Sequence, residues 1–243
     1  MDPARVLVVQ HEPGAPAGWF GDALQDHGCR LTVATPYDGT ALPAFDGFAG
    51  LLVLGGSVDS WDDDAAPWLP TTRDLVRRAE RERTPVLGIC LGHQIAADAL
   101  GGRPGRNPEG RTISIERVNW LPEAGDDPMF ASARTADRAV HWNRDVVLTL
   151  PDGATVVACS DDGAVQAARF GETVWGIQSH PEVDGAIVAD WLQEEWDVTA
   201  ESERQVQVDL VEATRAQEQS LRAAWLPLAE SFARLVRDGV PGR

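Results

Sequence analysis

Short apolar runs alternate with amphipathic stretches over the first hundred positions of the chain. The runs predict strands at 6–9, 30–34, 50–54 and 86–89, and the stretches between them predict helices at about 17–27, 71–83 and 91–100. Strand followed by helix, several times over, reads as βαβ units on a doubly wound, mostly parallel sheet. Beyond Gly101-Gly102 the texture changes. Segments 112–118, 154–159, 164–168 and 173–177 predict short strands, separated by turn residues such as Pro151-Asp152-Gly153 and Asp161-Asp162-Gly163, as in an added antiparallel layer. Helices return at about 185–196 and 203–236. The last of them carries Val206, Leu210, Ala213, Leu221, Trp225, Leu228, Phe232 and Leu235 along one face, a stripe that predicts packing on the same domain. The organisation expected is therefore a main domain over residues 1–200 and a helical extension over 201–243 packed against it.

The richest chemistry lies where the run 86–89 turns into a helix, at Gly88-Ile89-Cys90-Leu91-Gly92-His93-Gln94. A cysteine between glycines at a strand-to-helix turn is a nucleophile elbow: the turn forces Cys90 into a strained, exposed position that Gly88 and Gly92 make sterically possible. The free N–H groups and positive dipole end at the helix start favour a negative sulfur, the reactive form. Far downstream, Gln178-Ser179-His180-Pro181-Glu182 supplies a base. An imidazole can take the thiol proton and return it to a leaving amine, and a carboxylate can fix its tautomer. Pro181 biases the preceding residues toward extended backbone. His180 and Glu182, two apart, then project to the same side.

These two segments together resemble the class I (triad) glutamine amidotransferases, in which a cysteine elbow and a His-Pro-Glu segment form Cys-His-Glu. Leu51-Leu52-Val53-Leu54-Gly55-Gly56-Ser57, the Pro67-Trp68-Leu69 turn and His141-Trp142 are similar to stand-alone members related to the amidotransferase domain of GMP synthase. The resemblance runs from about Arg5 to about Trp196. It implies a flavodoxin-like α/β fold, a triad of Cys90, His180 and Glu182, and an oxyanion hole made by the amides of Gly56 and Leu91. It implies substrate contacts from Gly55, from Gln94 on the elbow helix, and from the loop Asn143-Arg144-Asp145. In that loop Asn143-Arg144 departs from the family's usual His-Gly. Arg144 could approach a carboxylate or lie exposed.

Composition narrows the partners. The formal charge of −17 argues against nucleic acid and anionic membranes, which reward contiguous Lys and Arg. Three scattered cysteines argue against a disulfide framework or a zinc site, and Cys29 and Cys159 read as small buried hydrophobes. No apolar run approaches about 18 residues. Met1-Asp2-Pro3-Ala4-Arg5 leads straight into a strand without a signal-peptide pattern, so a cytoplasmic location is expected. Gly55-Gly56-Ser57-Val58-Asp59-Ser60 approximates the loop of ATP pyrophosphatases. The order of residues is wrong, however, and Asp62-Asp63-Asp64 behind it would repel a triphosphate. No cofactor and no metal are expected.

The activity expected is hydrolysis of a γ-glutamyl amide, glutamine to glutamate and ammonia, through a γ-glutamyl thioester. The ammonia would pass to a synthase subunit in trans. The first alternative is a γ-glutamyl peptidase or hydrolase acting on γ-glutamyl peptides or conjugates. The second is a non-catalytic regulatory protein on the same fold, against which the intact Cys90, His180 and Glu182 speak.

Overall fold

Val6, Leu7, Val8 and Val9 are wholly inaccessible to solvent, as in a strand covered by helices on both faces. The computed structural model describes residues 3–240, so Met1, Asp2 and residues 241–243, at the two ends of the expected organisation, lie outside it. In chain order the first half contains β1 (Ala4–Val9), α1 (Gly18–Asp26), β2 (Cys29–Ala34), β3 (Gly50–Val53), α2 (Leu69–Arg81), β4 (Val86–Ile89), α3 (Leu91–Ala99) and β5 (Arg103–Arg106). The second half contains β6 (Thr112–Arg117), β7 (Asn119–Trp120), β8 (Arg138–Asn143), β9 (Asp145–Thr149), β10 (Thr155–Cys159), β11 (Val165–Arg169), β12 (Val174–Ile177), α4 (Gly185–Glu195) and α5 (Glu201–Asp238).

One eight-stranded sheet forms the centre, in the order β2-β1-β3-β4-β12-β11-β10-β7. Strands β2, β1, β3, β4 and β12 run parallel, and β11, β10 and β7 continue the same sheet antiparallel. Two further antiparallel pairs, β5 with β9 and β6 with β8, lie outside it. Alternation along β1 divides the core. Val6 and Val8 pack with α1 and the last third of α5 on one face, whereas Leu7 and Val9 pack with α2 and α3 on the other.

The helix over 69–81 starts two residues before the sequence pattern places it. Pro70 stands in its first turn, where the missing N–H has no carbonyl to bond in any case. Strands β5, β7, β8 and β9 are absent from the sequence pattern. β5 reads Arg-Pro-Gly-Arg, the composition of a turn, and is held extended by its pairing with β9.

Helix α5 has two packing partners. Leu210 and Val211 join Val183, Val188 and Trp191 in a small core over β6 and β8. Trp225, Leu228, Phe232 and Leu235, all at most 2% exposed, close the main core beside α1. Val206, counted in the apolar stripe, is instead 46% exposed.

Candidate active site

Strand β12 lies beside β4 although some 85 residues separate them in sequence, with Ile177 paired to Ile89 and the Cys90 N–H donating to the Ile177 carbonyl at 2.9 Å. That parallel register brings the two chemistry-bearing segments together, since both begin where their strands end. Ligand crevices of open α/β sheets form at such carboxyl ends.

Cys90 sits at φ 51°, one of two non-glycine residues at positive φ among those described, and at 5% exposed it is strained as the elbow pattern predicts but buried rather than exposed, on the wall of a cavity. A backbone this costly persists only where its surroundings impose it. Here helix α3 is pressed onto the sheet: a Cβ on Gly92 would stand 2.0 Å from the Val53 carbonyl oxygen, and one on Gly88 would stand 2.3 Å from the Gly92 carbonyl oxygen. Any side chain at either position would push the elbow open.

His180 is 5% exposed, its backbone N–H bonded to the Val140 carbonyl at 2.8 Å. Its Nδ1–H donates to Glu182 Oε1 at 2.8 Å, and its ring meets Trp191 edge-on at 4.7 Å. This leaves Nε2 for proton transfer. Burial opposes a charge on the ring, but the Cys90 sulfur and the Glu182 carboxylate outweigh it and raise the imidazole to about 10. A Cβ on Gly55 would lie 3.0 Å from His180 Cε1 and 3.7 Å from Cys90 Cβ, so the turn after β3 meets both residues.

These groups line one cavity of about 410 Å³, together with Gly56, Leu91, Gln94, Asn143, Arg144 and Asp145. Every residue the sequence proposed for the site except Gly55 and Glu182 is on that lining, and those two touch His180. Leu91 is the first residue of α3, so its N–H has no carbonyl one turn back. Gln94 Nε2 donates to the Asp145 carbonyl at 3.0 Å and to Gln178 Oε1 at 3.4 Å. Asn143 is buried, its Oδ1 facing His141 Nδ1 at 3.1 Å.

Arg144 is engaged with the protein: it donates to the Ser57 carbonyl at 2.9 Å and pairs with Asp59 at 3.0 Å. Arg106 bridges Asp59 and Asp145 at 2.7 and 2.5 Å. Burial works against the charge of Asp59, and the two guanidiniums overcome it, holding the carboxyl below its usual range. Asp145, more deeply buried, is held above that range despite Arg106. This lattice ties the turn after β3 to the β8–β9 turn across the cavity.

The sequence pattern does not single out Gln178. It is fully buried and its Nε2–H donates to the Cys90 sulfur at 3.8 Å. The period-two spacing of Gln178, His180 and Glu182 gives no strand signal in the structure, because 178–179 form a bend and 181–182 a turn after β12 has ended.

A model of the glutamine amidotransferase class-I family matches residues 21–195. The chain belongs to that family. Gamma-glutamyl peptidase 5 of Arabidopsis thaliana is 30% identical to this family member over 198 residues, 80% of this chain and 76% of that protein. One subunit of the glutamine-hydrolysing GMP synthase of Halobacterium salinarum is 35% identical over 155 residues, 60% of this chain and 73% of that protein. The solved structure of a glutamine amidotransferase from Thermotoga maritima has the same fold, with a TM-score of 0.83 at 24% identity over 95% of this chain and 98% of that one. No described helix of this family member is long and apolar enough to cross a membrane. Cys29 and Cys159 lie outside the cavity lining, and burial pushes both thiols up, for Cys29 against the pull of Arg237.

Three other imidazoles around the site are held neutral. Burial pushes His11 and His93 down to about 3. His141 is pushed down to about 4, by burial first and by the neighbouring His180 charge second. Each protonates more readily unfolded than folded, so stability is lost as pH falls below about 6.5, at about 1.4 kcal/mol per pH unit for each group. His180, raised instead, opposes this slope near pH 6.5 and adds none well below it, where it is protonated in both states. The three neutral histidines should therefore make the free energy of unfolding fall as pH drops from about 6.5 to 5. In urea titrations over that range, His93→Leu should make the fall shallower; an unchanged slope would mean that His93 is charged in the folded protein.

Proposed function

We propose that this protein hydrolyses γ-glutamyl amide bonds with Cys90 as nucleophile, and that its substrates carry a leaving group larger than ammonia. The observation that carries the reading is a cysteine at positive φ on a strand-to-helix turn, sharing a cavity with a buried His180–Glu182 pair. In the reaction the Cys90 sulfur bonds to the δ-carbonyl carbon, and the oxyanion is held by the Gly56 and Leu91 N–H groups. The C–N bond then breaks, its electron pair leaving with nitrogen, which takes a proton from His180 Nε2. Glu182 keeps Nδ1 protonated and steadies the imidazolium. Water, deprotonated by His180, attacks the thioester and releases glutamate and the thiol. Gln94, Asn143 and the Asp145 region form the wall for the γ-glutamyl moiety, with Gly55 behind it against His180, whereas Arg144, already paired, acts by holding the Ser57 loop in place.

Room beyond the sulfur favours a peptide-like leaving group. The cavity extends past His180 to Trp142, Trp191 and Val198, and its outer rim is Arg111 clasped by Glu195 and Glu203 at 2.7 Å each. Ammonia would use none of this wall. The γ-glutamyl peptidase relative supports the same reading, and the GMP synthase relative supports the second one, glutamine hydrolysis with ammonia delivered to a synthase subunit. A panel of glutamine, γ-glutamyl dipeptides and glutathione conjugates, scored for released glutamate, separates them. The kcat/KM for at least one γ-glutamyl dipeptide is expected to exceed that for glutamine by about tenfold or more, the worth of one well-filled apolar contact. Trp142→Ala should erase most of that preference. Glutamine turned over as well as every dipeptide would decide for the second reading.

A further inference from the structure

We infer that Gln178 is a second, fixed hydrogen-bond partner of the reacting sulfur, a donor that holds Cys90 in its anionic form and orients it, in addition to His180. The inference rests on the reading of Cys90 as the nucleophile.

The orientation of the Gln178 amide follows from its neighbours. The Asp145 carbonyl can only accept, so the Gln94 group facing it at 3.0 Å is its NH₂ end. The same NH₂ has a second hydrogen and gives it to Gln178, 3.4 Å away, which must therefore present its oxygen there. The opposite end of the Gln178 amide, its NH₂, is left facing the Cys90 sulfur at 3.8 Å. An amide NH₂ donates and cannot accept, so a thiol gains little from it and a thiolate gains most. Hydrogen bonds to the charged form of an acid favour that form.

The side chain has little freedom to do anything else. Gln178 is fully buried, and its backbone N–H is fixed to the Gln166 carbonyl at 2.8 Å directly after β12. A buried amide is costly unless both ends are used, and here one end meets a cavity-lining glutamine and the other the sulfur. Gln94, which would touch the substrate, is thereby linked to Cys90 through a single intervening residue.

The charged groups facing the sulfur come from several elements. His180 and Glu182 follow β12, and Arg144 and Asp145 form the β8–β9 turn. Arg111 precedes β6 and is neutralised by Glu195 of α4 and Glu203 of α5, while Glu12 after β1 and Glu194 of α4 complete the lining. All of these stay in place when only position 178 is changed, so a change in the sulfur's pH response reports on Gln178.

The test is the rate of iodoacetamide labelling of Cys90 against pH, read by mass spectrometry on the full chain and on two variants. Gln178→Met removes both the donor to sulfur and the acceptor for Gln94. Gln178→Glu removes the donor but keeps an acceptor for Gln94, and places a negative charge beside the sulfur. The labelling curve is expected to move to higher pH by about one unit in Gln178→Met and further in Gln178→Glu. With the wild-type curve retained in Gln178→Glu, the inference is overturned even if Gln178→Met is shifted, because the residue would then serve only to support Gln94. Should Gln178→Met fail to fold by circular dichroism, Gln178→Leu takes its place, because the charge introduced by Gln178→Glu would move the curve on its own. Wild-type labelling that favours Cys29 or Cys159 over Cys90 would overturn the nucleophile reading itself and this inference with it. Selective Cys90 labelling with unmoved variant curves would overturn the inference alone.

Discussion

Cys90→Ala should lower kcat on every γ-glutamyl amide by about 10⁴-fold or more, with the far-ultraviolet circular dichroism spectrum unchanged. The loss follows from removing the only proposed nucleophile on the cavity, and no neighbouring side chain can form the thioester in its place. His180→Ala should be as damaging, whereas Glu182→Gln should cost less, because the imidazole remains and only its tautomer and charge lose support. A variant at position 90 retaining a tenth of wild-type activity would defeat the assignment. Stability provides an independent check. At φ 51° any side chain is strained, so Cys90→Gly is expected to be more stable than Cys90→Ala by roughly 1 kcal/mol in urea unfolding, while both are inactive.

The second large effect is expected at the C-terminal helix. Phe232 is inaccessible to solvent and sits in the main core with Trp19, Phe20 and Leu24, so Phe232→Ala should cost about 3–5 kcal/mol. That is a large part of the ~5–15 kcal/mol that stabilises a typical domain. Removing residues from Glu201 onward uncovers this whole face and should yield protein that is insoluble or unfolded at any concentration. Trp225, whose Nε1–H donates to the Arg138 carbonyl at 2.9 Å, is equally enclosed within its own chain. Light scattering with size-exclusion chromatography on Trp225→Asp gives the contrary outcome its chance: a folded, active monomer arising from a wild-type dimer would mean that the helix braces a partner.

Much of the site is legible in the sequence because its signals are local. A glycine-flanked cysteine between a strand and a helix, and a histidine followed by Pro-Glu, need no knowledge of neighbours to be noticed. Strands β1, β3 and β4 are legible for the same reason, being short runs of buried apolar residues. What cannot be read is long-range. Nothing within 173–177 says that it joins the sheet beside β4, yet that pairing alone carries His180 to Cys90. Strands β8 and β9 escape because Ala139, Val140 and His141 in the first and Asp145, Val146 and Val147 in the second are consecutively buried, so the outward-inward alternation that marks a half-exposed strand is missing. Sequence alone leaves Arg144 open between a substrate contact and an exposed side chain. Its partner Asp59 lies 85 positions away, and only the folded chain brings the two together.

The residues that would do the chemistry and the residues that would choose the leaving group come from separate stretches of this chain. Cys90, His180 and the turn after β3 stand on the ends of central strands, where a shift of one residue would disturb the whole sheet. Apart from Trp142 on β8 and Arg111 before β6, the outer wall comes from Trp191 to Glu203, the end of α4 and the start of α5, and Val198 within it is 85% exposed. That connection can be lengthened, shortened or exchanged without touching a strand, because α5 is anchored independently by its far end. Preference for one leaving group over another is therefore the trait this architecture leaves free to drift, and the α4–α5 junction is where a graft from a relative should transfer it.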